Sequence, residues 1–437
     1  MKFKGLKGGS KLDPSQVRAI EALDSGRNVF LTGSAGCGKT FTVKEWMAHT
    51  DRRTVLTATT GVAALLLGGM TLHKFSGIQI EARPEHLGIV MERWEAKRQN
   101  RWGAQSWDLV AGIDTLVVDE VSMLRSDQLS LVDLVMRRIR GRDEPFGGCQ
   151  VVLTGDFFQL PPVVTGFDLR RYPDLAKPYA FQSPSWCFET IELSQNHRQG
   201  AGPWLEALDQ IRRGLPVDLS EAVGRKFSGV QPVRLFPLRA DVESENHNAL
   251  EALPGEPLVS EAEYSGHASW QEALRKDAPI DDPLILKPGA QCMIIVNEQV
   301  EEGERARYVN GTMCTVREIG DETVTVETQD DTIVFGEHKW SKYDYSTEGG
   351  TVFRKTLASV RQYPLRLAWA STIHKSQGMS LDRAEVDVTG CFAPGQAYVA
   401  LSRVRTFEGL SLRGWTPKCV TVDLAVKAFM EAACPRP

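Results

Sequence analysis

The sequence predicts an α/β fold, with parallel sheets flanked by helices, and three short stretches carry that prediction. Val29 to Leu31, Leu116 to Val118 and Val151 to Leu153 are apolar runs of strand length, each stopping abruptly in glycine or carboxylate residues. The first leads into a helical run carrying Val43, Trp46 and Met47. Between the second and third, Ser126 can cap a helix whose Leu129, Val132, Val135, Met136 and Ile139 fall on one face. Arg137, Arg138 and Arg140 close that helix where its dipole favours cations. In a doubly wound sheet ligands gather at the carboxyl ends of the strands, so the residues just beyond each run matter most.

After the first run, Gly33-Ser34-Ala35-Gly36-Cys37-Gly38-Lys39-Thr40 fits G-x-x-x-x-G-K-[ST] in a strand-loop-helix setting. Its glycines let backbone N–H groups turn inward around a β-phosphate, Lys39 reaches the β and γ oxygens, and Thr40 can hold Mg²⁺. The second run delivers Asp119 and Glu120, one to hold the metal and one to orient and polarise an attacking water. The third ends in "GDFFQLPPV", where Gln159 stands before the Pro161-Pro162 pair. An amide there can accept from the water and donate to a phosphate oxygen, and the prolines stiffen the segment, so Gln159 reads as a γ-phosphate sensor. Further along, "LSQNHRQ" offers Arg198 and "AYVALSRVRTFEGL" offers Arg403 and Arg405, guanidinium groups that can complete such a site from a second domain.

The chain of 437 residues, 42% hydrophobic and 24% charged, is ordinary for a soluble globular protein of several domains. A net charge of -5 and a pI near 6.0 confine any nucleic-acid contact to a groove or channel. The eight cysteines show neither C-x-x-C pairing nor zinc spacing and read as reduced thiols of a cytosolic protein. The basic N-terminus lacks an apolar core, and "GVAALLLGGM" is too short to span a bilayer, so no membrane association is expected.

The ordered set "GSAGCGKT", "TATTGVAA", "TLHKFSG", "VVDEVSM", "GDFFQLPPV", "LSQNHRQ", "WASTIHKSQGMSLD" and "AYVALSRVRTFEGL" resembles superfamily 1B helicases, specifically the petite-integration-frequency (PIF) family, over nearly the whole chain. The stretch from Asp127 to Val163 resembles the signature that RecD-type relatives lack. The resemblance implies two RecA-like motor domains with ATP and Mg²⁺ between them and single-stranded DNA across the top. It makes Gln16 the reader of adenine through a bidentate amide contact, Arg198 and Arg403 the arginine fingers, and Gly378 a neighbour of the γ-phosphate. Thr59, His73, Thr372, His374 and Lys375 become DNA contacts, although a structural role for the two histidines stays open.

Two stretches interrupt the motor pattern. Residues 79–107 are polar, basic and rich in tryptophan, and their place matches the family's strand-separating insertion. Trp94, Trp102 and Trp107 are its candidate faces for the terminal base pair, against the simpler view that they pack the insertion onto the core. Residues 246–350 turn β-like, with "AQCMIIVN", "YVNGTMCTVREI" and "ETVTVETQDDTIVF" divided by turn residues, which matches the SH3-like barrel the family carries. The expected division is 1–78 with 108–188 for the first motor domain and 189–245 with 351–437 for the second. The expected function is an ATP-dependent helicase moving 5′ to 3′ on single-stranded DNA and opening forked duplexes, with G-quadruplexes and RNA–DNA hybrids in the family's range. An RNA helicase and a nucleotide-gated DNA clamp are the alternatives. A cytoplasmic, nucleoid-associated monomer of compact bacterial or phage type, able to dimerise on DNA, completes the expectation.

Overall fold

The computed structural model describes residues 12–79, 81–164, 166–197, 202–228, 231–298, 306–348 and 351–434. Its first sheet comprises β1 (Val29–Gly33), β2 (Thr54–Ala58), β3 (Met70–Thr71), β4 (Thr115–Asp119), β5 (Gln150–Thr154) and β6 (Glu189–Leu193), in the spatial order β3-β2-β4-β5-β1-β6. Every pairing is parallel. β1, β4 and β5 are buried at every position, and their residues alternate between two cores. Val29, Leu31, Val117 and Val152 join Leu23, Val43 and Trp46 on one face. Phe30, Leu116, Val118, Val151 and Leu153 join Leu129, Val132 and Met136 on the other. Helices on both faces explain why these strands read as unbroken apolar runs.

The first domain is larger than expected. β6 runs beside β1 from Val29↔Glu189 to Gly33↔Leu193, so residues 189–193 belong to this sheet and not to the second domain. As the last strand of the sheet it is only partly buried, which leaves "ETIEL" without an apolar run. The C-terminal helix Leu424–Ala433 also returns to the first domain. Its Val426 and Met430 enter that core, and Phe429 stacks on Phe181 with centroids 4.2 Å apart and planes within 7°.

The insertion expected at 79–107 is a helical hairpin, Leu87–Arg98 and Arg101–Gly112, that runs on almost to β4. Asn100 caps the second helix by accepting from the Gly103 N–H at 2.8 Å. A Cβ on Gly103 would lie 1.9 Å from the Lys97 carbonyl oxygen, so the hairpin closes only on glycine.

A second parallel sheet, ordered β18-β7-β19-β20, is formed by β7 (Val233–Phe236), β18 (Ala370–Thr372), β19 (Ala384–Val386) and β20 (Leu410–Leu412). Between β7 and β18 the chain makes β8 (Leu258–Ser260), β9 (Glu263–Gly266), β10 (Leu284–Leu286), β11 (Gln291–Ile294), β12 (Met313–Ile319), β13 (Val324–Glu327), β14 (Thr332–Phe335), β15 (His338–Glu348), β16 (Thr351–Gln362) and β17 (Leu365–Leu367). An antiparallel sheet β14-β13-β12-β11-β17 surrounds Cys292, Cys314, Val316, Val326 and Leu365. The expected limits of 246–350 shift at both ends. The helix Arg239–Glu251 packs on strand β18 of the second parallel sheet, while β16 and β17 carry the inserted structure to Leu367. β16 is mostly exposed over its charged first half, so it offers no apolar run to read.

A second face of the inserted structure meets the first domain. The β15–β16 hairpin sets Tyr345 and Val352 against the first core, pairs Asp344 with Lys74 at 2.9 Å and donates from Arg354 to the Gly68 carbonyl at 3.1 Å. Trp270 lies 4.5 Å from the Lys74 ammonium.

Candidate functional site: a nucleotide cleft between two sheets

The loop from Gly33 to Thr40 leaves β1 at its carboxyl end and opens the helix Lys39–His49. Gly38 adopts φ 84°, a left-handed conformation that turns the loop into the helix. Lys39 Nζ donates to the Gly33 and Ser34 carbonyls at 2.8 and 3.1 Å, which stations the ammonium inside the loop's curve. Thr40 Oγ1 donates to Asp119 Oδ2 at 3.2 Å. The other Asp119 oxygen accepts from Thr154 and from the Glu120 N–H, fixing the carboxylate's plane. A hydroxyl and a carboxylate side by side are hard oxygen donors of the kind that bind Mg²⁺ together with phosphate and water.

Glu120 stands at φ 55°, an uncommon conformation for a residue with a side chain and one that clusters at functional sites. Burial, and then the neighbouring Asp119 charge, push its carboxyl pKa up to about 7, while Lys39 and Arg403 pull the other way. Arg403 lines the same cleft as Glu120 from the second domain. Its guanidinium is 2% exposed and is braced on the Val399 carbonyl and the Ser402 hydroxyl, each at 2.8 Å. Gln159 is buried between the two domains and accepts from Gln377 Nε2 at 3.4 Å. Gly38, Lys39, Thr40, Glu120, Gln159 and Arg403 all line one cleft, together with Ala35, Gly36 and Gly378.

Other expectations change. Gln16 lies beside Gly38, but its Oε1 accepts the Asp13 N–H at 3.0 Å in a helix-capping box. Its amide nitrogen is the more available half, which argues against a fully bidentate contact. Arg198 lies outside the described residues. Arg405 pairs with Asp382 at 2.7 Å on the cleft's rim. The Thr59 hydroxyl donates to the Glu120 carbonyl at 2.8 Å, tying that loop to the end of β4. His73 is largely enclosed and bonds Gln128 at 3.2 Å, which favours its structural role; burial, then the nearby Arg125 charge, lowers its pKa. Thr372 caps the following turn by accepting from Lys375 N–H at 3.1 Å, with His374 and Lys375 exposed beyond it.

The tryptophan wedge is not supported. Trp94 is 5% exposed and donates to the Ser76 carbonyl at 2.9 Å, and Trp107 packs edge-on against it at 6.2 Å. Both rings fasten the helical hairpin to the motor core. Trp102 lies in the second helix, with its side chain outside what is described.

Sequence reading missed a partner that joins the domains and two that brace the phosphate-binding loop within its own. Arg212, at the end of the helix Pro203–Arg212, is fully buried on Asp156 at 2.9 to 3.2 Å and reaches Glu192 at 3.0 Å. Asn196 donates to the Ala35 carbonyl at 2.7 Å, and the His197 N–H to the Gly36 carbonyl at 2.9 Å. The only advance signal for Asn196 and His197 was their place in "LSQNHRQ", beside Arg198.

A family model described as PIF1-like helicase matches residues 12–210. The ATP-dependent DNA helicase Pif1 of Bdellovibrio bacteriovorus is 35% identical, the alignment covering 96% of this chain and 91% of that one. The crystal structure of Bacteroides sp Pif1 in complex with ADP-AlF4 is 30% identical over 97% of each chain, with a TM-score of 0.85. Bacteroides Pif1 bound to ssDNA, at the same identity and coverage, superposes with a TM-score of 0.65. With its two parallel sheets, its shared cleft and its full-length likeness to these proteins, the chain belongs to the PIF1-like helicase family.

Proposed function

We propose that this chain is an ATP-dependent DNA helicase that moves 5′ to 3′ on single-stranded DNA and opens forked duplexes. The observation that carries the reading is the meeting of Lys39, Thr40, Glu120 and Gln159 from one motor domain with Arg403 and Gly378 from the other in a single cleft. A nucleotide held there touches both domains, so hydrolysis changes their relation. Thr40 and Asp119 would hold Mg²⁺, which would neutralise phosphate charge. Glu120 orients the attacking water, Lys39 and Arg403 stabilise charge on the transferred phosphoryl group, and Gln159 reports its loss to Gln377.

The sheets read as two RecA-like motors with an SH3-like insertion in the second. Exposed His374 and Lys375, at the carboxyl end of β18, suit a DNA backbone contact. The poorer match to the ssDNA-bound relative supports a rearrangement when DNA enters. For strand separation, exposed Ile89 and Phe167 replace the tryptophans: they flank one hollow with Arg93 and Arg171, apolar faces for a base pair beside cations for phosphate. The enzyme is proposed to act in the cytoplasm.

Strand displacement on matched DNA and RNA duplexes with 5′ or 3′ tails tests the reading. Only 5′-tailed DNA is expected to open, with Lys39→Ala lowering ATP turnover by at least about a hundredfold while single-strand binding survives. Opening of RNA alone would favour the RNA helicase, and turnover without displacement the clamp.

A further inference from the structure

The helix Gln396–Leu401 of the second domain touches three parts of the nucleotide site at once. At its start, Gly395 lies so close to the sensor segment that a Cβ there would come 2.3 Å from the Phe158 carbonyl oxygen and 2.6 Å from that of Gln159. Beyond its end stands Arg403, braced on the helix's own Val399 carbonyl. In its middle, Tyr398 is 2% exposed and its hydroxyl accepts the Ala35 N–H of the phosphate-binding loop at 3.0 Å, across the domain boundary. The same Ala35 residue offers its carbonyl to Asn196 at 2.7 Å, so the loop is gripped from its own domain on one side and from the opposite domain on the other.

We propose that Tyr398 is a positioning residue of the ATPase site, whose hydroxyl pins the apex of the phosphate-binding loop to the helix that carries Arg403 and thereby couples loop, sensor and arginine finger to domain closure. The chemistry supports a hydroxyl in particular. A buried N–H left without an acceptor costs free energy, so the loop keeps its shape only while the second domain supplies one. The bond is also short-ranged, so a small displacement of the helix breaks it, together with the Gly395 approach and the reach of Arg403. The rest of the ring is buried in the second domain's core, a setting that phenylalanine preserves.

This inference rests on the ATPase reading, and Tyr398→Phe separates the two. Wild-type protein is assayed first for DNA-stimulated ATP hydrolysis, because its absence would overturn the functional reading itself. With wild-type turnover established, Tyr398→Phe is expected to lower kcat about tenfold and to lower the urea unfolding midpoint only modestly, through the unpaired Ala35 N–H, while nucleotide-free affinity for a single-stranded oligonucleotide stays unchanged. It is also expected to shrink the difference in that affinity between a nonhydrolysable ATP analogue and ADP, a linkage that a merely structural tyrosine would not alter. Unchanged kcat and unchanged linkage overturn the proposal. So does a loss of kcat that only follows a lower unfolding midpoint, with the linkage intact.

Discussion

Arg212 meets Asp156 with side chains 1% and 0% exposed, whereas Lys74 meets Asp344 with 19% and 27% of each still in water. Both pairs join the first domain to the second domain or the structure inserted in it, yet they differ in kind. The inner pair lies under the nucleotide cleft, ties Asp156 by several hydrogen bonds and has the Phe158 ring 4.7 Å from its guanidinium. The outer pair sits where the β15–β16 hairpin reaches the "TLHKFSG" segment, with the Tyr345 and Val352 apolar contacts beside it. A desolvated pair is costly to break singly, while a partly hydrated one contributes little. We therefore expect the inner surface to hold the two domains as a pivot and the outer one to give way more easily.

The largest expected effect tests the pivot. Asp156→Ala leaves the Arg212 guanidinium buried with only Glu192 beside it, and should cost about 3–5 kcal/mol, read as a fall in the urea midpoint. Replacing both partners, Asp156→Leu with Arg212→Met, should recover most of that loss, because the cost lies in the unpaired charge. A loss below about 1 kcal/mol in the single variant would remove the contrast between the two surfaces.

The outer pair is expected to matter less to stability than the inner one. Lys74→Ala should change stability by no more than about 1 kcal/mol, while Asp344→Ala, which leaves the buried Lys74 ammonium without its carboxylate, should cost more than that but less than the loss at the inner pair. Their effects on single-strand affinity should be opposite. Should DNA run past the "TLHKFSG" segment, as the resemblance implies for His73, Asp344→Ala would tighten binding severalfold by removing a negative charge and loosening the hairpin, while Lys74→Ala would weaken it. Equal shifts in the same direction, measured by fluorescence anisotropy at fixed salt, would mean that the hairpin does not compete with DNA.

The contrast also explains what could be read in advance. Strand ends with chemistry on them were legible, because β1, β4 and β5 are buried on both faces and break sharply into Gly33, Asp119 and Gly155. Their function is written locally, in a few consecutive residues. The joints between domains are not. Arg212 in "DQIRRG" looks like any basic helix end, and Phe429 like any apolar helix position, until the fold brings Asp156 and Phe181 to them. The edge strand β6 and the charged strand β16 escaped for a different reason: each is partly hydrated, so the apolar run that signals a buried strand is absent. The tryptophans misled because an aromatic residue in a basic, polar segment has the same composition whether it faces solvent or fastens that segment to a core.

The smallest expected effect on stability falls at the hollow proposed for strand separation. Deleting the whole helical hairpin would not isolate that role, because Val90, Met91 and Trp94 belong to the first core and Arg83 is buried on Asp127 and Asp174. Ile89 and Phe167 are 52% and 61% exposed, so Ile89→Ser and Phe167→Ser should each alter stability by less than about 0.5 kcal/mol. Movement along a single strand does not use them, and single-strand-stimulated ATP turnover should stay at the parental rate. Opening a duplex does, because each base-pair step resists by roughly 0.6–2.2 kcal/mol of stacking and an apolar face at the fork can hold the frayed pair apart. The double variant should therefore displace severalfold less strand per ATP consumed on a 5′-tailed duplex, with the deficit growing as the duplex becomes richer in G and C. Parental coupling on both A·T-rich and G·C-rich duplexes would show that strands part elsewhere on the molecule.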